Sequence, residues 1–387
     1  MSEVHDLPEG REIGRVVGDA PGPTLIVIAG IHGNERAGVG AVRRALATLT
    51  RRQGRVMGEI VAFAGNLGAM RLGVRYRERD MNRVWTEARV ADLEARAAAG
   101  GELDAEDHEQ LELIGAVRAA IARARGPVYL VDLHTTSAHG LPFILFGDTL
   151  KQRKFAGVIP LPLVMGLEEQ VDGALTAFFT TQGCVTFCVE GGQHDDAGSV
   201  DNLEAVVLLA AESAGVFGSG LLTETGAAYA LLERRRGDLP RVMEVVSRHA
   251  ITADDAFVME PGFANLARAR AGQLLATKRA GKVRAPKDGI VLLPLYQGQG
   301  NDGFFWGREV GAARMRLSEV LRHMKVDRLL HLLPGIARDP ARPSKLVVDE
   351  RATRLYHRDL FHLLGYRRVR SEAERLTLER QIDRAPG

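Results

Sequence analysis

The sequence predicts an α/β protein with a mixed, largely parallel sheet covered by helices and followed by a small β domain. Three short, apolar and β-branched stretches are typical of buried strands: TLIVIAG (24–30), VYLVDL (128–133) and CVTFCVE (184–190). Segments with helical periodicity lie between or after them, and this alternation is expected of a sheet with both faces covered. A fourth stretch, EIVAFAGN (59–66), is expected to join the same sheet.

Three segments carry the apolar spacing of helices. The first begins at Ala37, the second is long and ends at Arg125, and the third begins at Asp201. Each follows or precedes one of the apolar stretches, as a crossover between parallel strands requires. The strand ends therefore come before loops that lead into helices.

The character of the sequence divides the chain into three parts. Residues 1–240 carry the strand and helix alternation and form the expected catalytic domain. Residues 241–312 have short strands separated by Gly, Pro and Asp-Gly, which indicates a small β-rich domain that folds as a separate unit near the entrance to the active site. Residues 313–387 contain more Lys and Arg than Asp and Glu, and we expect a basic extension that is partly helical.

Composition excludes several classes of protein. A net charge of +2 over 387 residues is too small for a chain that coats nucleic acid or an anionic membrane as a whole. The sequence contains neither an apolar run long enough to span a membrane nor an apolar signal segment, so we expect a cytoplasmic protein. Its two cysteines, Cys184 and Cys188, are too few for a disulfide framework and are expected to be small buried hydrophobes. The sequence leaves open whether the chain forms a homo-oligomer.

Groups that bind metals or transfer protons follow three of the predicted strands. His32 comes just after the first, His134 just after the second, and Glu190 ends the third. Ligands collect beyond the carboxyl ends of parallel strands, so we expect these side chains at one edge of the sheet. His32, Glu35 and His134 make a set of zinc ligands with an open position for water, and Glu190 could then act as a general base. The short segment 32–35 alone is explained equally well as a glycine-flanked turn before a helix.

The segment RYRERDMNR (75–83) contains four arginines in nine residues. Such runs are usually solvated charged loops. Beside a zinc site, however, an arginine could stabilise an oxyanion, and a second arginine with an asparagine could bind a carboxylate.

These motifs, taken in order, resemble the succinylglutamate desuccinylase/aspartoacylase family, a branch of the zinc carboxypeptidase-like fold. The resemblance covers about residues 20–215, and the β segment after residue 250 is similar to the C-terminal domain of the family. Five motifs carry it: His32-Gly33-Asn34-Glu35, Arg75-Tyr76, Asp80-Met81-Asn82-Arg83, Asp132-Leu133-His134-Thr135-Thr136-Ser137 and Val189-Glu190-Gly191.

The resemblance implies one zinc ion per chain and a small N-acyl amino acid as substrate. The implied zinc ligands are His32, Glu35 and His134, and Glu190 would activate water and pass its proton to the leaving amine. Arg75 would stabilise the developing oxyanion. The carboxylate of the amino-acid portion would be held by Asn82 and Arg83.

The sequence departs from the family at two places. Residues 175–187 contain no arginine or lysine near the position of an arginine that reads an acidic acyl group, and Thr180 or Thr181 falls there instead. A buried carboxylate without a cation is costly, so succinate or aspartate is not expected as the acyl group. Phe304, Phe305 and Trp306, with Tyr296 before them, either form an aromatic wall for an apolar or small acyl group or pack a hairpin of the β domain.

Several further residues each have two possible roles. Asp132 either accepts a hydrogen bond from a ligating histidine or makes an ordinary loop or helix contact. His139 and the His194-Asp195-Asp196 segment could suggest a second metal, although loop histidines usually bind none.

Two other functions stay open. A zinc peptidase of the carboxypeptidase type would use the same chemistry but needs an open groove. A non-enzymatic binding module would use the basic residues 313–387 to contact nucleic acid or a protein, whereas such a segment is more often a helix docked on its own chain. Nucleic acid and membrane partners are not expected.

Overall fold

The computed structural model describes residues 7–218, 220, 223–339, 344–349, 358–372 and 375–380. Most of its strands belong to one large sheet. In chain order the strands are β1 Glu12–Val17, β2 Ala20–Ala29, β3 Met57–Ala64, β4 Val128–Thr136, β5 Phe143–Phe146, β6 Leu163–Met165, β7 Val185–Gln193, β8 Val242–Ala250, β9 Val258–Met259, β10 Ala267–Ala269, β11 Leu274–Lys278, β12 Gly281–Arg284, β13 Gly289–Leu292, β14 Asp302–Glu309, β15 Ile336–Arg338, β16 Lys345–Asp349, β17 Tyr366–Glu372 and β18 Arg375–Arg380.

Helices of very different length connect these strands. They are α1 Ala37–Thr50, α2 Leu67–Leu72, α3 Glu87–Ala98, α4 Ala105–Arg123, α5 Leu150–Gly157, α6 Leu175–Thr181, α7 Ala197–Ala214, α8 Thr223–Arg236, α9 Ala312–His323 and α10 Arg358–Leu363. Short 3-10 turns lie at Gln53–Arg55, Met81–Arg83, Leu167–Glu169, Ala253–Asp255 and Val326–Leu332. Among the described residues, no helix combines the length and the apolar character needed to cross a membrane.

The large sheet has eleven strands in the order β1, β3, β2, β4, β7, β5, β6, β8, β14, β13, β10. Its centre is parallel, since β2 pairs with β3 and β4, and β4 pairs with β7, all in the same direction. The four apolar stretches of the sequence form β2, β3, β4 and β7 side by side. The predicted mixed, largely parallel sheet is confirmed.

Helices cover both faces of the parallel centre. Successive residues of each strand point to opposite faces, so they pack alternately into two cores. Leu25 and Val27 of β2 pack into a cluster with α1 and α7 on one face. Ile26 and Ile28 point to the other face and pack with α4 and α6. A strand buried on both sides reads as a continuous apolar run, which explains the composition of TLIVIAG.

The large sheet continues beyond residue 240. β8 pairs in parallel with β6, and β14, β13 and β10 follow in antiparallel order. The remaining strands of residues 241–312 form a separate three-stranded sheet, β12, β11, β9. The composition changes near residue 240, but the large sheet does not end there. β8, the first strand after the change, pairs with β6 and continues the sheet.

The C-terminal part contains a four-stranded sheet in addition to helices α9 and α10. Its order is β15, β16, β18, β17, and all of its pairs are antiparallel. This sheet was not foreseen from the sequence. A cluster that includes Leu330, Leu346, Phe361 and Tyr366 forms its core.

Candidate active site

The seven residues expected to bind metal or substrate or to act in catalysis all line one cavity at the carboxyl ends of the parallel strands. Its empty volume is about 1140 Å³, counted to its open mouth. The seven residues come from four separate stretches of chain: His32, Glu35, Arg75, Asn82, Arg83, His134 and Glu190. The convergence follows from the parallel pairing of β2, β4 and β7, which places their carboxyl ends at one edge.

The loop that carries His32 and Glu35 is fixed by close backbone packing. β2 ends at Ala29, and Gly30 follows with a φ of +72°, a conformation that favours glycine. A Cβ atom at Gly33 would lie 2.2 Å from the carbonyl carbon of Ala69, so only glycine fits against α2 there. The turn then leads directly into α1, which leaves the two side chains facing the cavity.

Three side chains place their ligand atoms around one point. Nδ1 of His32 lies 2.8 Å from Oε1 of Glu35, and Nδ1 of His134 lies 2.9 Å from Oε2 of the same carboxylate. One ligand atom from each residue lies within 4.8 Å of the others, and all three residues are buried. The sequence separation of His32 and His134 is bridged by the pairing of β2 with β4.

A carboxylate anchors the outer nitrogen of each histidine. Nε2 of His32 lies 3.0 Å from Oδ1 of Asp80, and Nε2 of His134 lies 2.8 Å from Oδ2 of Asp132. If each Nε2 carries the proton, each Nδ1 has a lone pair directed at the common centre. Carboxylate-anchored histidines are typical of metal sites, so the donor set and its surroundings fit a zinc ion.

Asp80 was not singled out from the sequence, although it stands in a quoted motif. Besides His32 it accepts hydrogen bonds from Nη2 of Arg75 at 3.0 Å and from the backbone N–H of Asn82 at 2.9 Å. The signal that could have identified Asp80 is its position as the N-cap of the 3-10 turn Met81–Arg83. For Asp132, by contrast, the geometry corresponds to the hydrogen-bonding reading and not to a loop contact.

The centre holds its carboxylates in the ionised form. Burial raises the pKa of Glu35, but the neighbouring His32 and His134 outweigh it and hold that pKa well below its usual range. Burial likewise raises the pKa of Asp80, and His32 and Arg75 bring it well below the ordinary value. Ionised carboxylates and oriented imidazoles are the forms that bind a cation.

Glu190 lies beside this centre on the neighbouring strand, in register with His134. It is buried, and no described residue donates a hydrogen bond to its Oε2 atom. Burial raises its pKa to about 8; Glu35 adds to the rise, while His134 and Arg75 oppose it. A buried carboxyl with a free oxygen and a pKa near neutrality has the properties of a general acid and base.

Arg75 contacts the same centre. Its Nη1 donates to Oε1 of Glu35 at 3.3 Å, and its Nη2 donates to Asp80. Its backbone N–H donates to Oε1 of Gln299 at 3.2 Å, which ties the segment to the loop before β14. The guanidinium is therefore held at the cluster of His32, Glu35 and His134 instead of in a solvated loop.

Asn82 and Arg83 lie further along the cavity. Oδ1 of Asn82 accepts the N–H of Leu175 at 2.9 Å, which leaves its amide NH₂ group as the donor. Nη2 of Arg83 donates to Oδ2 of Asp302 at 2.7 Å. Arg248 contacts the other oxygen of Asp302, so two guanidinium groups share this carboxylate.

His194 also lines the cavity; for this residue the sequence left open a second metal or an unliganded loop histidine. Its Nδ1 lies 2.8 Å from Oγ1 of Thr135, and its Nε2 lies 3.2 Å from Oε1 of Gln297. The neighbouring Asp196 instead caps α7 through the N–H of Gly198. These contacts join His194 to the primary site and not to its own acidic neighbours.

Only one of the four aromatic residues noted after residue 295 contributes to the cavity within the described chain. Phe305 lines it, whereas Phe304 stacks on His249 with ring centroids 4.9 Å apart. Trp306 packs in the same separate cluster as Phe304. The hydroxyl of Tyr296 donates to the carbonyl of Glu260 at 2.7 Å. The hairpin-packing interpretation therefore applies to Phe304 and Trp306.

The segment that lacks a cation forms α6 and the start of β7. Thr180 lies behind the cavity, where its hydroxyl is 2.7 Å from that of Thr186 and donates to the carbonyl of Thr176 at 2.8 Å. Thr176 is the residue of this segment that lines the cavity. Neither Thr176 nor Thr180 supplies a positive charge that could bind an acidic acyl group.

Comparisons with known proteins identify the family. A family model described as the succinylglutamate desuccinylase/aspartoacylase catalytic domain matches residues 21–214. A succinylglutamate desuccinylase of Chromobacterium violaceum is 30% identical over 196 residues, which cover 48% of this chain and 56% of the relative. One from Burkholderia pseudomallei is 28% identical over 167 residues, covering 42% and 46%. The chain thus matches about half the length of these curated relatives.

Solved structures show the same fold. The succinylglutamate desuccinylase of C. violaceum superposes with a TM-score of 0.52 at 18% identity, covering 77% of this chain and 88% of that one. A product-bound structure of the ectoine utilization protein EutE (DoeB) from Ruegeria pomeroyi gives 0.54 at 19% identity, covering 78% and 93%. At these identities the likeness concerns the fold.

Proposed function

The chain belongs to the succinylglutamate desuccinylase/aspartoacylase family, and on that premise we propose that it is a zinc-dependent hydrolase. It cleaves the amide bond of an N-acyl amino acid or a similar small conjugate into a carboxylate and a free amine. The single observation that carries the proposal is the cluster of His32, Glu35 and His134, with ligand atoms within 4.8 Å of one another, beside the buried Glu190.

His32, Glu35 and His134 would hold one zinc ion. When bound, zinc supplies a Lewis acid that polarises a carbonyl group and lowers the pKa of water to about 7. Asp80 and Asp132 orient the two histidines for this task through their Nε2 atoms. The other side chains of the cavity perform the remaining steps.

Glu190 moves the proton. Its free Oε2 accepts a proton from the attacking water and returns it to the nitrogen of the leaving amine, and its raised pKa lets it hold the proton between these events. Arg75 supplies a fixed positive charge at the carbonyl oxygen, where negative charge develops. Asn82 and Arg83 bind the carboxylate of the amino-acid portion, since an amide donor and a guanidinium suit that group.

The cavity entrance favours a small conjugate over a long peptide. The loop between β13 and β14 contributes Gln297, which accepts a hydrogen bond from Asn34 at 3.1 Å. From the same loop Gln299 donates to the carbonyl of Tyr76 at 3.3 Å. These contacts close the loop onto the segments that carry the site, whereas a carboxypeptidase-type peptidase needs an open groove. The peptidase therefore stays the second candidate.

A metal analysis with an activity panel tests the proposal. We expect about one zinc per chain and turnover of N-acyl amino acids that a chelator abolishes and added zinc restores. A His134→Ala variant should lose the metal, and a peptide library should remain uncleaved. Absence of zinc-dependent turnover across the whole panel would contradict the proposed function, and cleavage of the library would favour the peptidase.

A further inference from the structure

We infer that the amino acid released by this site has an apolar side chain, and that the substrate carries a single carboxylate. The inference rests on the proposed function and deepens it by naming the substrate class. It concerns the part of the cavity that lies between Glu190 and Arg83.

An apolar wall adjoins Glu190 in the cavity. Leu145 of β5 pairs with Cys188 of β7, so their side chains share one face of the sheet with Glu190, two residues beyond Cys188. The lining residues that belong to one hydrophobic cluster are Leu145, Leu167, Val171, Cys188, Leu293 and Phe305. We call these six residues the apolar wall.

Two chain segments tie the apolar wall to Arg83. Phe305 follows Asp302 by three residues on β14, and Asp302 binds the guanidinium of Arg83. Val171 precedes Gly173 by two residues, and a Cβ atom at Gly173 would lie 2.3 Å from the carbonyl oxygen of Arg83. The apolar wall and Arg83 therefore line the same cavity through neighbouring stretches of chain, and we place the group that contacts the wall on the same half of the substrate as the carboxylate. That group is the side chain of the amino-acid half, and not the acyl group suggested by the sequence.

The charges of the cavity allow one substrate carboxylate. Within the described part of the chain, the guanidinium groups that line it belong to Arg75 and Arg83. Arg75 is held by Glu35 and Asp80, and Arg83 shares Asp302 with Arg248. The cluster of Arg83, Arg248 and Asp302 has a net charge of +1, which balances one carboxylate.

A second carboxylate on the amino-acid half would meet the apolar wall, which offers it no cation. The acidic residues that line the cavity are Glu35, Asp80, Glu168, Glu190 and Asp302. A buried carboxylate without a cationic partner is strongly disfavoured, whereas an apolar side chain gains from burial against the apolar wall. We therefore expect the site to prefer an apolar amino acid over an acidic one such as glutamate.

A panel with one constant acyl group tests the inference. We expect kcat/KM of the zinc-loaded protein for N-acetyl-leucine, N-acetyl-methionine and N-acetyl-phenylalanine to exceed that for N-acetyl-aspartate and N-acetyl-glutamate by at least about 100-fold. N-succinyl-glutamate should be as poor as the acidic members. Equal or better turnover of the acidic substrates would overturn the inference and leave the proposed hydrolase standing.

Product binding separates the two proposals. Calorimetry with leucine and with glutamate, on the zinc-loaded protein, should give heat only with leucine. If no substrate of the panel is hydrolysed, the proposed function fails, and the binding result still decides between an apolar and an acidic amino acid. Tighter binding of glutamate would refute the inference by itself.

A substitution in the apolar wall tests its position. Val171 lies in a loop, so Val171→Arg places a cation on the wall without interrupting a strand. We expect the kcat/KM ratio of N-acetyl-glutamate to N-acetyl-leucine to rise at least about tenfold in this variant. Val171→Met is the neutral control and should keep the wild-type ratio. An unchanged ratio in a folded Val171→Arg protein would overturn the placement of the amino-acid side chain against the apolar wall. If that variant does not fold, the substrate panel with the wild-type protein tests the inference instead.

Discussion

Asp80 joins His32, a proposed metal ligand, to Arg75, the proposed oxyanion-stabilising arginine, and its replacement by asparagine tests that coupling. The carboxylate lies 3.0 Å from Nε2 of His32, and it accepts two hydrogen bonds from Arg75, at 3.0 Å from Nη2 and 3.3 Å from Nε. The side chain introduced by Asp80→Asn can accept from His32 through its carbonyl oxygen, but its NH₂ group would face the guanidinium. Arg75 would then keep Glu35 as its anionic partner.

The expected magnitude follows from these contacts. Loss of a carboxylate behind a metal-binding histidine typically weakens metal affinity about 10- to 100-fold, or about 1.4 to 2.7 kcal/mol. Each hydrogen bond to a charged group contributes about 1.5 to 3 kcal/mol, so Arg75 should also lose its orientation. We therefore expect a higher zinc Kd and a lower kcat/KM at saturating zinc.

Competition with a chromophoric chelator measures the zinc Kd, and steady-state kinetics at saturating zinc measure the effect on Arg75. Asp302→Asn is the matched control, because Asp302 lines the same cavity but contacts Arg83 and Arg248 and not the histidines. Its zinc Kd should equal that of the wild type. An unchanged zinc Kd in Asp80→Asn would show that Asp80 does not support the metal site.

Three further substitutions have expected outcomes. Glu190→Gln should keep zinc and lower kcat about 10²- to 10⁴-fold, and metal analysis with kinetics checks this. Arg83→Gln should raise KM far more than it lowers kcat, because it removes the partner of the substrate carboxylate; an effect confined to kcat would contradict this role. Burial raises the pKa of Asp148, but Arg367 and two other arginines hold it far below its usual range. The stability from this carboxylate is full above its unfolded pKa of about 3.9 and falls as the pH drops below it. At pH 7, where this stability is complete, urea unfolding should give a lower free energy of unfolding for Arg367→Met than for the wild type, because Asp148 loses one of its three guanidinium partners.

The sequence predicted the parallel centre of the fold because its strands carry their own signal. β2, β4 and β7 are buried on both faces, so each reads as an unbroken apolar run. Their polar ends then had to meet, since parallel strands share a carboxyl edge. For that reason His32, His134 and Glu190 could be brought together from residues far apart in the chain.

Pairing between distant strands was less predictable. Nothing in the composition of β8 indicates that it joins β6, since a strand shows which of its faces is buried but not which neighbour it pairs with. Asp80 was missed for a similar reason. Its partner His32 is 48 residues away, and a carboxylate within an arginine-rich run looks like surface charge until the contact is known.

The basic C-terminal part illustrates the same limit of charge patterns. Its excess of arginine suggested a surface for nucleic acid, yet Arg322 and Arg367 are 4% and 8% exposed and both bind Asp148 at 2.7 Å. Arg367 also reaches Glu169 at 3.2 Å, in the turn Leu167–Glu169 that contributes to the cavity wall. A guanidinium buried in this way cannot contact a phosphate backbone, and removing one partner of a buried ion pair costs about 3 to 5 kcal/mol. These arginines therefore fasten the C-terminal part to the wall of the active site.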